Sequence, residues 1–364
     1  MIAAISGRAL AAAARRAGYR PLVADLFCDN DMVALSERAT MLAGDLRKGI
    51  DHKRLPQALL ELAAGEPVEA LVLGSGFEHD PAIVDDLARH FPLAGNSAVT
   101  VARVKDPRRL AEDCAALGIS HPELRWDSPP DPENWLTKSA GGAGGGHVAR
   151  ANGASAKPGR YFQRFIRGQS VSALFLADGE RAHVVGFSRQ WASPAPGAPY
   201  RYGGAVRLRR FGRQDATRIG RWLSGLAERA GLIGLNSADF IPNEAGFHLV
   251  EINPRPGATL DIFDSPEAPL LKAHIDACRK KPFRVPRFDD CAAALVTYAS
   301  RAIEGFPKFV WPDWTADRQP AGTALAAGDP VCTVFARGAS ATATRRAAEA
   351  QAAGLSRHWE GVLR

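Results

Sequence analysis

Two largely apolar segments, 235–242 and 247–252, are separated by the turn Asn243-Glu244-Ala245-Gly246. This pattern predicts a β-hairpin, and it constrains the fold strongly because acidic residues interrupt both strands. Side chains alternate between the two faces of a strand, so Glu251 and Asn253 point to one face. Pairing of the two strands would bring Asp239 beside Glu251. Two carboxylates at such close range repel each other unless a cation lies between them.

The hairpin therefore predicts a metal site formed by Asp239, Glu251 and Asn253. Carboxylate and amide oxygens are the ligands that Mg²⁺ prefers, and Mn²⁺ could substitute for it. If the strand stays extended beyond Asn253, Arg255 follows on the same side, where its guanidinium can bind phosphate oxygens bidentately. The alternative is a solvated strand face, but the complete run Glu251-Ile252-Asn253-Pro254-Arg255 together with Asp239 favours the metal site.

A glycine-rich loop follows the predicted strand 134–138, which ends in Lys138. The loop is neither a Walker motif, since no Gly-Lys-Ser/Thr ends it, nor a dinucleotide fingerprint. Glycines such as Gly142, Gly144 and Gly145 let backbone N–H groups approach phosphate closely, and Lys138 adds a positive charge. A flexible linker would explain the glycines but not the lysine. The segment predicts a phosphate-binding lid that closes to exclude water.

The chain changes its pattern along its length. Strands at 2–5, 20–26 and 69–73 alternate with helices at 8–17, 54–64 and 81–90, which predicts a parallel α/β sheet. From about residue 97 the pattern predicts an α+β region with antiparallel strands at 160–166, 170–177 and 182–187. We expect an N-terminal domain at 1–97, a small subdomain at 98–160, a large subdomain with the metal site at 161–284 and a C-terminal segment at 285–364.

Composition excludes several classes of protein. The net charge is +7, from 46 basic and 39 acidic residues, but no long Lys/Arg block or aromatic platform favours a nucleic-acid partner. The surplus fits an arginine-rich surface or the attraction of anionic substrates. The five cysteines are scattered, which predicts reduced thiols. No apolar stretch of membrane-spanning length and no signal-peptide pattern is present, so we expect a cytoplasmic protein without a membrane partner.

The order of several motifs along the chain resembles the ATP-grasp superfamily of ligases. These motifs are Lys105, Lys138 with its glycine loop, the segment 163–168, called the hinge below, and the hairpin that carries Asp239 and the Glu251–Arg255 run. The resemblance covers roughly residues 1–280 and implies the ATP-grasp fold, with ATP clamped between antiparallel sheets. It implies that Lys105 and Lys138 contact phosphates, that Arg255 and Lys138 act in catalysis, and that Asp239, Glu251 and Asn253 bind magnesium. It also assigns the adenine to the hinge residues Gln163, Arg164, Phe165 and Ile166. Where the superfamily usually has a glutamate, the hinge reads Gln163-Arg164.

Within that superfamily the chain is similar to the tyramine–glutamate ligases of methanofuran and methylofuran biosynthesis. The runs Ser75-Gly76-Phe77-Glu78, Lys105-Asp106-Pro107 and Glu251–Pro256 carry this likeness. It implies an ATP-dependent carboxylate–amine ligase that forms an acyl-phosphate and adds glutamate to tyrosine or tyramine. Its partners would be small-molecule substrates, and a homodimer is compatible with the likeness. Two alternatives stay open: a ligase for another carboxylate–amine pair, such as a pterin cofactor or a peptide, and a non-catalytic ATP-binding regulator.

Four further residues are weaker candidates. Arg189 and Arg207 flank the segment 191–204, which we expect to be a loop, and could pair with a carboxylate of the acceptor; a place on the surface is an equal alternative. His147 and His183 are candidate general bases, with purely structural roles as the alternative.

Overall fold

The computed structural model describes residues 1–362. The helices in this range are α1 (Arg8–Arg16), α2 (Asn30–Leu35), α3 (Leu55–Ala63), α4 (Ala82–His90), α5 (Ala98–Lys105), α6 (Pro107–Ala116), α7 (Arg213–Ala230), α8 (Leu260–Phe263), α9 (Leu270–Cys278) and α10 (Ala341–Val362). The strands are β1 (Ile2–Ala3), β2 (Leu22–Asp25), β3 (Arg38–Met41), β4 (Gly44–Asp45), β5 (Gly49–Ile50), β6 (Val72–Leu73), β7 (Leu124–Arg125), β8 (Trp135–Ser139), β9 (Ala149–Arg150), β10 (Arg160–Arg164), β11 (Val171–Asp178), β12 (Ala182–Ala192), β13 (Tyr202–Arg207), β14 (Ile233–Asn243), β15 (Gly246–Asn253), β16 (Cys291–Tyr298), β17 (Thr315–Ala316) and β18 (Pro330–Gly338).

The N-terminal sheet has the strand order β3-β2-β1-β6, and all of its strands are parallel. This confirms the α/β pattern predicted for the start of the chain. The regular strands are shorter than the apolar segments that predicted them. The edge strand β3 was not predicted, because its sequence Arg38-Ala39-Thr40-Met41 lacks an apolar run and its position depends on pairing with β2.

A small antiparallel sheet follows, with the order β7-β10-β8-β9. Before it, α5 ends at Lys105 because the next two residues start a new helix. The side chain of Asp106 accepts a hydrogen bond from the backbone N–H of Arg108 at 2.8 Å, and Pro107 occupies the first turn of α6. Arg103 and Asp113 then join α5 to α6 through a two-point ion pair. These contacts fix the helix end that carries Lys105.

The largest sheet has the order β15-β14-β11-β12-β13-β16-β18-β17 and is antiparallel throughout. One face packs against α1, α8 and α9, and the other packs against α6 and α7 at one end and α10 at the other. The chain therefore has the predicted combination of a parallel N-terminal sheet with large antiparallel sheets. The predicted domain limits stay predictions.

Residues 191–204, which we expected to form a loop, include the end of β12 and the start of β13. A β-carbon on Gly203 would lie 2.8 Å from the Ser193 nitrogen, so the strands approach closely because residue 203 is glycine. The five cysteines are free thiols, as predicted. No helix within residues 1–362 combines the length and apolar character needed to cross a membrane.

Candidate active site

The predicted hairpin forms, and its register places the acidic residues together. Asp239 on β14 pairs directly with Glu251 on β15, and Ser237 pairs with Asn253. The Asn253 amide donates a hydrogen bond to Asp239 Oδ2 at 3.4 Å. All three proposed metal ligands therefore lie on one face of the sheet, close to its β15 edge.

Lys105 reaches this group from the end of α5. Its Nζ donates to Glu251 Oε1 at 2.5 Å and to Asn253 Oδ1 at 3.5 Å. The Lys105 side chain is only 6% exposed and that of Glu251 is 24% exposed, so the ion pair is largely shielded from water. Lys105, expected to contact phosphate, thus lies in direct contact with two of the predicted metal ligands.

The two carboxylates differ in their affinity for protons. Burial, together with the negative charge of Glu251, raises the pKa of Asp239 to about 6. Burial also opposes ionisation of Glu251, but the charges of Lys105 and Lys138 outweigh it and lower the pKa of that carboxyl. A further cation between the two carboxylates would favour ionisation of Asp239.

The donor set fits a hard divalent cation. It combines two carboxylates and one amide oxygen, which are ligands suited to Mg²⁺. No group of three His, Cys, Asp or Glu side chains within residues 1–362 has an arrangement that could hold a metal by itself. The predicted set therefore depends on Asn253 and on oxygen atoms from outside the protein, as is usual for Mg²⁺ bound to substrate phosphates.

The second lysine lies on the small sheet. Lys138 on β8 is buried, and its Nζ donates to Gln163 Oε1 at 3.3 Å. Gln163 is on β10, and its amide nitrogen lies 3.5 Å from the carbonyl oxygen of Val250 on β15. This connects the small sheet to the strand that carries Glu251.

Several hinge groups that were predicted to contact adenine already form hydrogen bonds or ion pairs within the protein. The backbone N–H groups of Arg164 and Phe165 donate to the carbonyl oxygens of Glu123 and Asn134, both at 2.8 Å. The Arg164 guanidinium pairs with Asp131 at 2.7 Å. Adenine binding by Gln163–Ile166 stays a prediction that must rely on other groups of this segment.

The glycine loop is held against two other parts of the chain. Gly145 has φ +75°, and a β-carbon there would lie 2.0 Å from the carbonyl oxygen of Tyr200. The Gly144 carbonyl accepts a hydrogen bond from the Tyr202 N–H at 3.1 Å. Inside the loop, Gly142 lies against the His147 ring, which a β-carbon would approach to 2.4 Å. The contacts require glycine, so the loop is more specific than a flexible linker.

Arg255 does not continue along the face of Glu251 and Asn253. β15 ends at Asn253, and the Arg255 N–H donates to the Asn253 carbonyl at 2.9 Å, which turns the chain. The continued extension on which a position beside Glu251 and Asn253 depended does not occur. The Arg255 guanidinium donates to Glu78 Oε1 at 2.6 Å, and Glu78 Oε2 accepts from the backbone N–H of Gly76 and Phe77. Although burial opposes its ionisation, the charges of Arg255 and Lys105 lower the pKa of Glu78 to about 2.

The weaker candidates lie elsewhere or have structural contacts. Arg207 is buried and pairs with Asp290, and Arg189 is exposed. Gln190 contacts Asp239, and the alternation of side chains directs its neighbour Arg189 to the opposite face of the sheet. The Nδ1 atom of His147 accepts the Ser139 N–H at 3.2 Å, and burial lowers the pKa of this histidine to about 4. His183 is exposed beside Asp178.

Sequence reasoning missed two residues of the site. Gln190 Nε2 donates to Asp239 Oδ1 at 3.2 Å, and its position on β12 gave no signal before the register was known. Glu78 was named only as part of the Ser75–Glu78 run and was given no role of its own, although a lone acidic residue after an apolar strand at a Gly-rich turn is a usable signal. His52 supports this turn, since Nε2 lies 3.2 Å from the Gly76 carbonyl and the ring stacks on Phe77.

Comparison with known proteins adds a sequence family and a fold. Residues 104–259 match the sequence model of the ATP-grasp domain, so the matched span contains both Lys105 and the Glu251–Arg255 run. No curated protein matches the chain in sequence.

Several solved structures share the fold at low identity. An L-amino acid ligase from Bacillus licheniformis has a TM-score of 0.67 and 13% identity, over 96% of this chain and 95% of that one. The biotin carboxylase domain of 2-oxoglutarate carboxylase from Hydrogenobacter thermophilus, solved with MgADP and bicarbonate, has a TM-score of 0.67 and 12% identity, over 92% and 85%. Biotin carboxylase from Campylobacter jejuni has a TM-score of 0.66 and 13% identity, over 92% and 87%. The chain therefore has the ATP-grasp fold, and the match of residues 104–259 to the ATP-grasp sequence model agrees with it.

Proposed function

We propose that the protein is an ATP-dependent carboxylate–amine ligase that works through an acyl-phosphate. The observation that carries the proposal is the direct pairing of Asp239 with Glu251, with Asn253 beside them and Lys105 bonded to Glu251. ATP-grasp proteins of the same fold include a ligase and a biotin carboxylase domain solved with MgADP. ATP and Mg²⁺ are the cofactors that this site is proposed to use.

In the proposed reaction the substrate carboxylate attacks the γ-phosphorus of ATP, forming an acyl-phosphate and releasing ADP. An amine then attacks the acyl carbon, forming the amide and releasing phosphate. Asp239, Glu251 and Asn253 would hold magnesium, which neutralises charge on the phosphates. Lys105 and Lys138 would add positive charge beside the transferring phosphoryl group, where electrostatic stabilisation contributes most to such reactions.

The glycine loop would cover the reacting groups. Its contacts with Tyr200 and Tyr202 hold it in a defined position. Exclusion of water matters because water would hydrolyse the acyl-phosphate before the amine attacks it. The Arg255 guanidinium donates a hydrogen bond to Glu78 at 2.6 Å. Arg255 is therefore proposed to act in catalysis only after an anion competes with Glu78 for this guanidinium.

For the substrates we propose glutamate as the carboxylate donor and tyrosine or tyramine as the amine, in the biosynthesis of a methylofuran-like one-carbon cofactor. The support for this pair is the likeness of the Ser75–Glu78, Lys105–Pro107 and Glu251–Pro256 runs to tyramine–glutamate ligases. The protein is proposed to act in the cytoplasm.

The test is phosphate release from Mg-ATP by the purified protein, with a panel of carboxylate donors that includes glutamate and a panel of amines. Release that needs both glutamate and tyrosine or tyramine, and that Glu251→Gln abolishes, is expected. Release with another carboxylate–amine pair would keep the ligase and refute these substrates. ATP binding without release for any pair would refute the ligase and favour a regulator.

A further inference from the structure

A groove of about 740 Å³ lies on the face of the eight-stranded sheet opposite Asp239. It opens where the helices that cover this face diverge, between the start of α7 and the start of α10, and its lining includes Gly212, Ser340 and Ala341. Arg189 from β12 points into it, whereas the next residue, Gln190, contacts Asp239 on the other face. The thickness of the sheet therefore separates the groove from the site of the proposed reaction.

The charge of the groove has one sign. Arg189, Arg209 and Arg210 line it, and no aspartate or glutamate does. Their neighbours Arg207 and Arg337 both pair with Asp290, whereas these three guanidinium groups have no hydrogen-bond or ion-pair partner within residues 1–362. Unpaired arginines that share a concave surface concentrate anions there and suit phosphate or carboxylate groups.

Two helix ends add to the positive potential. The N-cap of α7 is Gly212, which has no side chain to accept the first N–H groups of that helix. The 22-residue helix α10 begins at Ala341, and its N-terminus lines the groove too. The nearest acidic residue of α7, Asp215, is paired with Arg218 at 2.8 Å and does not line the groove.

The groove also has an apolar part. Phe211 and Phe247 line it, and the Phe211 ring stacks on Phe187 with the ring centroids 3.8 Å apart. A fixed aromatic surface beside unpaired cations suits a ligand that combines an apolar part with charged groups. The volume is within the range of small-molecule sites, which is about 300–1,000 Å³.

We propose that this groove is a second ligand site, which binds a small organic anion with at least two negative charges and a ring or short apolar part. Phosphate esters and polycarboxylates share this chemistry. The site is separate from the proposed ATP site, and the inference holds whether or not the protein is a ligase.

The test is titration calorimetry with phenyl phosphate, citrate and inorganic phosphate, at physiological ionic strength and without nucleotide or Mg²⁺, because ADP has the chemistry of the proposed groove ligand and citrate chelates Mg²⁺. The test variant is Arg189→Ala/Arg209→Ala/Arg210→Ala. The control is Arg181→Ala/Arg284→Ala/Arg301→Ala, which removes three exposed arginines elsewhere and gives the same net charge of +4 (7 − 3). The three single glutamine variants, Arg189→Gln, Arg209→Gln and Arg210→Gln, extend the test if the triple variant does not fold.

We expect phenyl phosphate or citrate to bind the natural protein and the control variant alike, and the groove variant about tenfold or more weakly, a difference of about 1.4 kcal/mol. Preference for phenyl phosphate would assign phosphate esters, and preference for citrate would assign polycarboxylates. The proposal is overturned if neither organic probe binds, if the groove and control variants bind equally, or if inorganic phosphate binds as tightly as phenyl phosphate.

Discussion

Lys105 and Glu251, which are 146 residues apart in sequence, form a nearly buried ion pair with 2.5 Å between Nζ and Oε1. The pair joins the end of α5 to β15 next to Asp239. The lysine thereby supplies positive charge at the position where two carboxylates meet, and this relationship leads to a first prediction about stability.

Substitution Lys105→Met should destabilise the protein by about 3 kcal/mol in EDTA, because it leaves Glu251 beside Asp239 without its cation. Added Mg²⁺ should recover much of this loss by replacing the missing charge. Urea denaturation with and without Mg²⁺ measures both effects, and Lys157→Met, on an exposed lysine, is the control. An equal loss in both buffers would show that Mg²⁺ does not bind at these carboxylates.

Substitution Gln190→Leu should weaken Mg²⁺ binding about tenfold, because it removes the hydrogen bond that orients Asp239 Oδ1. The matched control is Arg189→Ala, the adjacent residue on the opposite face, which should leave Mg²⁺ affinity unchanged. Titration calorimetry with Mg²⁺ in the presence of ADP gives both values. Equal affinities in the two variants would argue that Gln190 does not position the metal ligand.

Substitution Gly145→Ala should lower kcat/KM for ATP about tenfold, because a β-carbon would collide with the Tyr200 carbonyl and the backbone has positive φ. Gly146→Ala is a close control, since nothing lies within 4 Å of a β-carbon at that position. The assay is phosphate release as a function of ATP concentration. Similar losses in both variants would mean that contact with Tyr200 is not needed for turnover.

Glu78 and Arg255 should show strong coupling in a double-mutant cycle. Their side chains are 4% and 13% exposed, so Glu78→Gln or Arg255→Met alone should each cost about 3 kcal/mol of stability. The double variant should lose clearly less stability than the two single variants together, because no unpaired charge stays buried in it. The exposed pair Asp51 and Arg54 is the control and should couple weakly. Additive losses for Glu78 and Arg255 would contradict the prediction.

His274 should make stability depend on pH. It is buried, accepts the Leu235 N–H on Nδ1 at 2.7 Å and bonds the Ala94 carbonyl through Nε2, and burial lowers its pKa from 6.5 to about 4. As the pH falls, His274 binds a proton in the unfolded chain before it does so in the folded protein. Its contribution to the free energy of unfolding is therefore complete above pH 6.5 and is lost as the pH falls towards 4. The loss amounts to roughly 3 kcal/mol.

Urea denaturation between pH 7 and pH 4 measures this dependence. His274→Gln should be less stable at neutral pH but should show a flatter profile. His90→Gln, at an exposed position, should keep the profile of the natural protein. An unchanged slope in His274→Gln would exclude this histidine as the cause.

The sequence identified those features of the site that depend on local periodicity. A regular register continued from the Asn243–Gly246 pair would have set Asp239 opposite Val250, so its pairing with Glu251 depends on a bulge between Asp239 and Phe240 that the sequence did not reveal. The hairpin itself was predicted by the apolar segment 247–252 and the turn at 243–246. Lys138 before the glycines was recognisable for a similar reason, as a charged residue at the end of an apolar strand.

Contacts between distant segments could not be read in this way. Gln190 approaches Asp239 only through the pairing of β11 with both β12 and β14, and Arg255 meets Glu78 only because β15 ends at Asn253. β16 and β13 were also missed. Their alanine and glycine residues have weak strand propensity, and their strand conformation depends on the neighbouring strands.

The continuity of the eight-stranded sheet bears on how the chain can be divided. β13 pairs with β12 on one side and with β16 on the other. The matched ATP-grasp span ends at residue 259, and β16 begins more than thirty residues later. A protein cut after this span would leave β13 with a row of unpaired N–H and C=O groups and would uncover Val206. Such a fragment is prone to edge-to-edge association, so the boundaries of the sequence family are not the boundaries of an autonomous folding unit.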